Sequence, residues 1–167
     1  MTATTPKGDE KRVSYSEGVF LGYRHFDQSG IKPLFPFGYG LSYTTFAYKN
    51  LDTSSSASTN QLVKVSFDLT NTGKRAGAEV AQVYVGDRHT KAPRPPKELK
   101  GFAKVFLNPG ETERVSITLD QRAFSYYDVT GHQWTIAPGD FDIYVGPSSG
   151  QIELAGKTTL ASAVASK

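Results

Sequence analysis

The sequence contains no cysteine, one methionine, one tryptophan and only three histidines among 167 residues. Without cysteine there is no disulfide framework, no thiolate nucleophile and no thiolate metal site. His25, His89 and His132 are far apart in the chain, so neither a metal cluster nor any cofactor is expected. No apolar run approaches the roughly 20 residues that span a bilayer, and the first residues have no apolar signal core. The expectation is a soluble chain with no membrane partner, compatible with a secreted or periplasmic parent. An excess of one charge is also missing, since the net charge is only +3. The densest basic run, Lys91 to Lys100, holds Lys91, Arg94, Lys97 and Lys100 but is interrupted by three prolines and Glu98. Nucleic-acid proteins concentrate positive charge on one face, and nothing here does so.

What is present is aromatic and concentrated. Pro33-Leu-Phe-Pro-Phe-Gly-Tyr-Gly-Leu-Ser-Tyr-Thr-Thr-Phe46 carries five aromatic rings in fourteen residues. Pro33 and Pro36 hold the backbone extended, while Gly38 and Gly40 allow turns that residues with a β-carbon avoid. The segment reads as a stiff connector whose rings must pack against something.

Before it, Met1 to Arg12 is polar and reads as a frayed start. Tyr15, Val19, Phe20, Tyr23 and Phe26 then recur at spacings of three and four, which predicts a short amphipathic helix from about Ser16, ended by Asp27-Gln-Ser-Gly30. After Thr45 the period becomes two. Phe46 and Tyr48 open a strand, and Asp52 to Asn60 reads as a Ser/Thr loop. Val63, Val65, Phe67 and Leu69 alternate with polar residues, followed by strands over Glu79–Val85, Leu99–Leu107 and Glu111–Leu119. Phe124 to Asp128 is a short strand or corner. Trp134, Ile136, Phe141, Ile143 and Val145 continue the pattern, Ile152 and Leu154 close it, and the tail from Lys157 has little to pack.

Seven or eight short strands with turn signals about every ten residues and little helix predict an all-β fold, an antiparallel two-sheet sandwich of immunoglobulin-like or fibronectin type III-like character. An extended or short-helical extension precedes it. The expected division is 1–44 for the extension and connector, 45–156 for the sandwich and 157–167 for a flexible tail. With no disulfide available, Trp134 and the inward Val, Ile, Leu and Phe residues are the expected core.

Tyr15 to Asp27, followed by Pro33 to Phe46, resembles the end of the second catalytic domain of family 3 glycoside hydrolases. Val80-Ala-Gln-Val-Tyr-Val85, Arg94-Pro-Pro-Lys-Glu-Leu-Lys-Gly-Phe102, Leu107-Asn-Pro-Gly-Glu111 and Ala137-Pro-Gly139 resemble the C-terminal fibronectin type III-like domain of such β-glucosidases and β-xylosidases. In that family the nucleophilic Asp lies in a barrel domain and the acid/base Glu in an α/β domain. Neither motif is found here, so the resemblance implies a non-catalytic C-terminal piece with a remnant of the preceding domain.

The residues themselves agree. A retaining glycosidase holds two carboxyl groups about 5–5.5 Å apart and an inverting one roughly 6.5–9.5 Å apart. Glu17 and Asp27 would stand about 15 Å apart along one helix. No Gly-x-Ser-x-Gly elbow frames a serine, and Gly38-x-Gly40 lacks the rest of a dinucleotide fingerprint. The expected role is docking on the catalytic domains of the parent enzyme through Phe35, Phe37, Tyr39, Tyr43, Arg94 and Lys97. The alternative is an accessory module that stacks polysaccharide or lignin on outward rings, for which Tyr84, Tyr126, Tyr127 and Tyr144 are the candidates.

Overall fold

A computed structural model describes residues 15–55, 63–87, 89, 92–160 and 163–164. Two antiparallel sheets form the sandwich. One is ordered β1-β2-β5, from Phe46–Ser55, Val63–Asn71 and Thr112–Leu119. The other is ordered β4-β3-β8-β9, from Glu98–Leu107, Gly77–Asp87, Gly139–Gly146 and Leu154–Leu160. Between β5 and β8 the chain makes a one-turn helix, α2 (Gln121–Phe124), and two short strands, β6 (Tyr126–Asp128) and β7 (Gln133–Ile136). These last two build a third small sheet with β10 (Ala163–Val164).

Period-two alternation sets the core. In β2 the residues Val63, Val65, Phe67 and Leu69 are fully buried, paired in register with Leu119, Ile117, Val115 and Glu113 of β5. Ala81, Val83 and Val85 of β3, Val105 and Leu107 of β4, and Phe141, Ile143 and Val145 of β8 supply the facing layer. The sequence-predicted all-β sandwich is the fold found.

Several local expectations are corrected. The helix begins seven residues after Ser16: α1 spans Tyr23–Ser29, and Gly18 and Gly22 ahead of it adopt φ of +57° and +56°. Left-handed glycines break a right-handed helix whatever the spacing of the rings. Gly30 then closes α1 in the left-handed conformation, as its position suggests. β1 runs on to Ser55 where a loop was expected, through a bulge in which Asn50 takes φ +54°. Asn50 is suited to that position because its amide donates to Asp68 while its carbonyl accepts from Arg114. Trp134 is not in the core. It lies half-buried on the small sheet, under the Arg122 guanidinium at 3.8 Å and against Tyr127. β9 continues to Leu160, burying Thr158 and Leu160 where the tail was expected to pack little. The expected start at Met1–Arg12 lies outside the described residues.

One polar side chain holds three segments at one end of the sandwich. Asn71 is fully buried, and its amide donates to the carbonyls of Arg75 and Leu107 at 2.8 and 2.9 Å. Its oxygen accepts from the Thr44 hydroxyl at 2.6 Å and the Gly73 N–H at 3.0 Å. Replacing it leaves buried carbonyls unpaired, and such groups cost about 1–3 kcal/mol each. Asn71→Ala is expected to lower the unfolding free energy by about 2–4 kcal/mol, read by urea denaturation.

Candidate docking surface

From Ala81 to Gly86, strand β3 is buried on both faces. Alternation turns Gln82 and Tyr84 away from the core, yet Tyr84 is 0% exposed and Gln82 5%. The extension and connector cover them. The ring of Tyr23 on α1 stacks on Phe37 at 5.2 Å and meets Tyr84 edge-on at 6.0 Å. Its hydroxyl accepts the Leu99 N–H at 2.8 Å. The Phe37 carbonyl accepts the Ser149 N–H at 2.8 Å, which ties the connector to the turn that follows β8. At Gly38, φ +86°, a β-carbon would overlap the Gln82 amide, so only glycine lets the connector lie this close.

Charges fasten the same segment. Lys97 pairs with Asp27 of α1 at 2.7 Å and stands 5.9 Å from the Tyr84 ring centre. Arg24 pairs with Glu98 at 3.2 Å. Arg94, with a side chain 7% exposed, reaches Asp87 at 3.0 Å and Glu98 at 2.8 Å and donates to the Phe124 carbonyl. Lys100 completes the cluster at 3.4 Å from Glu98. Burial opposes the charged form of Glu98, but the Arg94 hydrogen bond and the charges of Lys100, Arg94 and Arg24 outweigh it and hold its pKa below the usual carboxylate value. Lys100 is pushed down by its burial, with Glu98 opposing. Burial, helped by Tyr23 and Asp27, pushes Tyr84 far above the usual phenol value.

The outer side of the same segment is open. Leu34, Leu41 and Tyr43 are 88–90% exposed, and Phe35, Phe37 and Tyr39 are also exposed, with Phe35 and Tyr39 tilted together at 5.4 Å. Arg75 lies 6.0 Å from the centre of the Tyr43 ring. Beside the connector is a cleft of about 430 Å³, lined among others by Leu41, Tyr48, Glu79, Val80 and Glu153. Tyr48 donates to Glu79 there at 2.9 Å. Burial raises the Glu79 pKa, aided by Glu153 and opposed by the Tyr48 hydrogen bond.

The structure thus separates the sequence candidates. Phe35, Phe37, Tyr39 and Tyr43 share one exposed apolar segment, whereas the Arg94 and Lys97 side chains point inward to clamp loop, helix and sheet. Tyr84, taken as outward and ligand-facing, is sealed beneath Tyr23. Tyr144 and Tyr126 are half-buried, the Tyr144 hydroxyl donating to Asp142, and Tyr127 is the exposed one of the four. Glu17 is exposed on a turn, and Asp27 is engaged by Lys97. Among the described residues no group of three His, Cys, Asp or Glu is placed to hold a metal. Sequence reasoning missed Tyr23, Gln82, Asp87 and Glu98 as parts of the clamp. The one sign of it was Glu98 inside a basic, proline-rich run.

Residues 79–149 match the fibronectin type III-like domain family. The chain is 50% identical over 148 residues to thermostable β-glucosidase B of Acetivibrio thermocellus, covering 88% of this chain and 20% of that protein. It is 44% identical over 154 residues to a probable β-glucosidase L of Aspergillus fumigatus, covering 83% and 21%. Among solved structures, β-glucosidase 3B of Thermotoga neapolitana, in complex with α-D-glucose, superposes with a TM-score of 0.86 at 37% identity, over 96% of this chain and 22% of that one. A family 3 β-glucosidase of Bifidobacterium adolescentis gives 0.88 at 38% identity, over 93% and 23%. The chain carries a fibronectin type III-like domain. More narrowly, it belongs with the C-terminal modules of family 3 β-glucosidases, and it spans about a fifth of the length of these relatives.

Arg94→Ala leaves Asp87 and Glu98 without their main partner and is expected to cost about 3–5 kcal/mol in urea unfolding, the usual effect of breaking a buried pair from one side. The lowered Glu98 pKa adds a pH dependence. Its stabilisation is complete above the ordinary value of 4.5 and is lost as the pH falls through the lower folded-state value. Glu98→Gln is therefore expected to be less stable than the parent at neutral pH, with the difference shrinking below 4.5, as read by denaturation at both pH values.

Proposed function

We propose that the chain is the non-catalytic structural module of a family 3 β-glucosidase-like enzyme, docking on the catalytic domains and stabilising them. One observation carries this reading: the segment 15–43 is fastened to the sandwich by rings and ion pairs on one side, yet leaves Leu34, Phe35, Tyr39, Leu41 and Tyr43 in water on the other. A contiguous apolar surface of this kind on a small protein marks an interaction site. Burial contributes about 25 cal/mol per Å² of apolar area, so a few such rings fix a domain orientation by several kcal/mol before ordering costs are subtracted. Nearly four-fifths of the relatives' length lies outside this chain, and that portion is the natural occupant.

The alternative, stacking of polysaccharide or lignin, needs rings in a row. Tyr84 is sealed, Tyr126 and Tyr144 are half-buried, and Tyr127 meets Trp134 edge-on at 5.6 Å, which is no flat platform. The arrangement therefore favours docking.

The test is a nitrophenyl-glycoside hydrolysis panel on the purified chain, alone and with a family 3 catalytic portion lacking the matching region. The expected result is no turnover alone and a gain in activity or melting temperature of the complement. Turnover by the chain alone that survives repurification and is lost in Glu17→Gln would overturn the reading. Retention on insoluble xylan, cellulose or lignin, abolished by Tyr127→Ala, would favour the alternative.

A further inference from the structure

The cover over the outer face of the β4-β3-β8-β9 sheet stops at Gln82. Beyond it, β3 and β4 pair Val80 with Lys104 and Ala78 with Phe106, while Gln82 itself faces Phe102. These side chains point away from the core, because Ala81, Val105 and Leu107 between them are buried. Phe102 is 67% exposed, Phe106 64% and Val80 40%. Diagonal neighbours across a strand pair lie within reach of aromatic rings, so the two phenylalanines and Val80 form one apolar group around the Lys104 stem. An exposed edge strand bearing two large rings is a surface that proteins ordinarily avoid unless something covers it.

This group is continuous with the connector. Val80 lines the same cleft as Tyr39 and Leu41. Nearly four-fifths of the relatives' length lies outside the matched region, and the connector that carries the exposed rings lies on the outer side of this same sheet. The charge at the border is mixed: Lys104 lies between the two rings and Arg75 stands beside Tyr43, while Glu79 and Glu153 line the cleft next to Val80.

We propose that Val80, Phe102 and Phe106 form a second half of the docking surface, occupied by an apolar patch on the catalytic portion of the same enzyme. The inference rests on the docking reading and deepens it, because it places the partner against the sheet as well as the connector.

The test grafts this chain in place of the matching fifth of thermostable β-glucosidase B from Acetivibrio thermocellus. Melting is then followed for the chimaera and for the isolated chain. Phe102→Ser with Phe106→Ser is expected to lower the melting temperature of the chimaera by several degrees and leave that of the isolated chain unchanged. Tyr43→Ser with Leu41→Ser serves as the second arm. If the connector pair destabilises the chimaera and the phenylalanine pair does not, the second half is refuted while docking stands. If neither pair acts, both readings fail. Loss of stability in the isolated chain on changing the phenylalanines would mean that the rings serve the module's own packing, and this too overturns the inference. Should the chimaera not fold, binding of the chain in trans to the trimmed enzyme replaces melting. There Phe102→Ser with Phe106→Ser is expected to weaken the Kd roughly tenfold, as loss of an interface anchor does, and an unchanged Kd refutes the proposal.

Discussion

The structure turns on the double burial of β3. A strand of a two-layer sandwich has one face in the core and leaves the other to water, but residues 81–86 are all buried here. The outer layer cannot come from either sheet, so it is borrowed from the segment that precedes the first strand. Tyr23 supplies the ring over Tyr84, Phe37 the next ring out, and Gly38 the closeness. What would be an appended tail is in this sense a third layer of the module.

Such a layer buries polar groups as well as rings, and each has a partner. The Tyr84 hydroxyl donates to Gln82, whose amide donates to the Pro147 carbonyl at 2.6 Å. Arg94 and Lys97 of the proline-rich loop are matched by Asp27, Asp87 and Glu98. Ion pairs of this kind add little net stability over well-packed apolar groups, but they are costly to break from one side. Their effect is to fix where the loop, α1 and the sheet sit relative to one another. The exposed rings of the connector inherit that precision, since they stand on a base that is geometrically determined.

The sandwich was legible in the sequence because its signal is local: alternation in Val63–Leu69 or Val115–Leu119 follows from one strand having one wet face. The same logic misled at Tyr84, where outward by alternation was taken to mean exposed. The cover over it lies 61 residues upstream, and no periodicity within β3 could report it. The helix was misplaced for the opposite reason. Ring spacing is a statement about side chains, whereas Gly18 and Gly22 act through the backbone. Trp134 was expected in the core because a chain without disulfides must rest on apolar packing, yet an inserted small sheet and Arg122 hold it at the edge. The aromatic content of residues 33–46 marked a segment whose rings must pack, but only the tertiary structure tells them apart: Phe46 packs on the core and Phe37 on Tyr23, while Phe35, Tyr39 and Tyr43 stay exposed.

The covering layer also has a consequence in time. Tyr23 meets the Leu99 amide 76 residues along, and Asp27 meets Lys97 70 residues along. On the ribosome the first part of this module to emerge therefore has nothing to pack on until β3, β4 and the loop between them have followed. Closing loops of that length is slow compared with forming the hairpin of β3 and β4, and transiently bare rings are where misassembly starts. Unless a domain made earlier shelters them, the connector rings are synthesised first and shielded last.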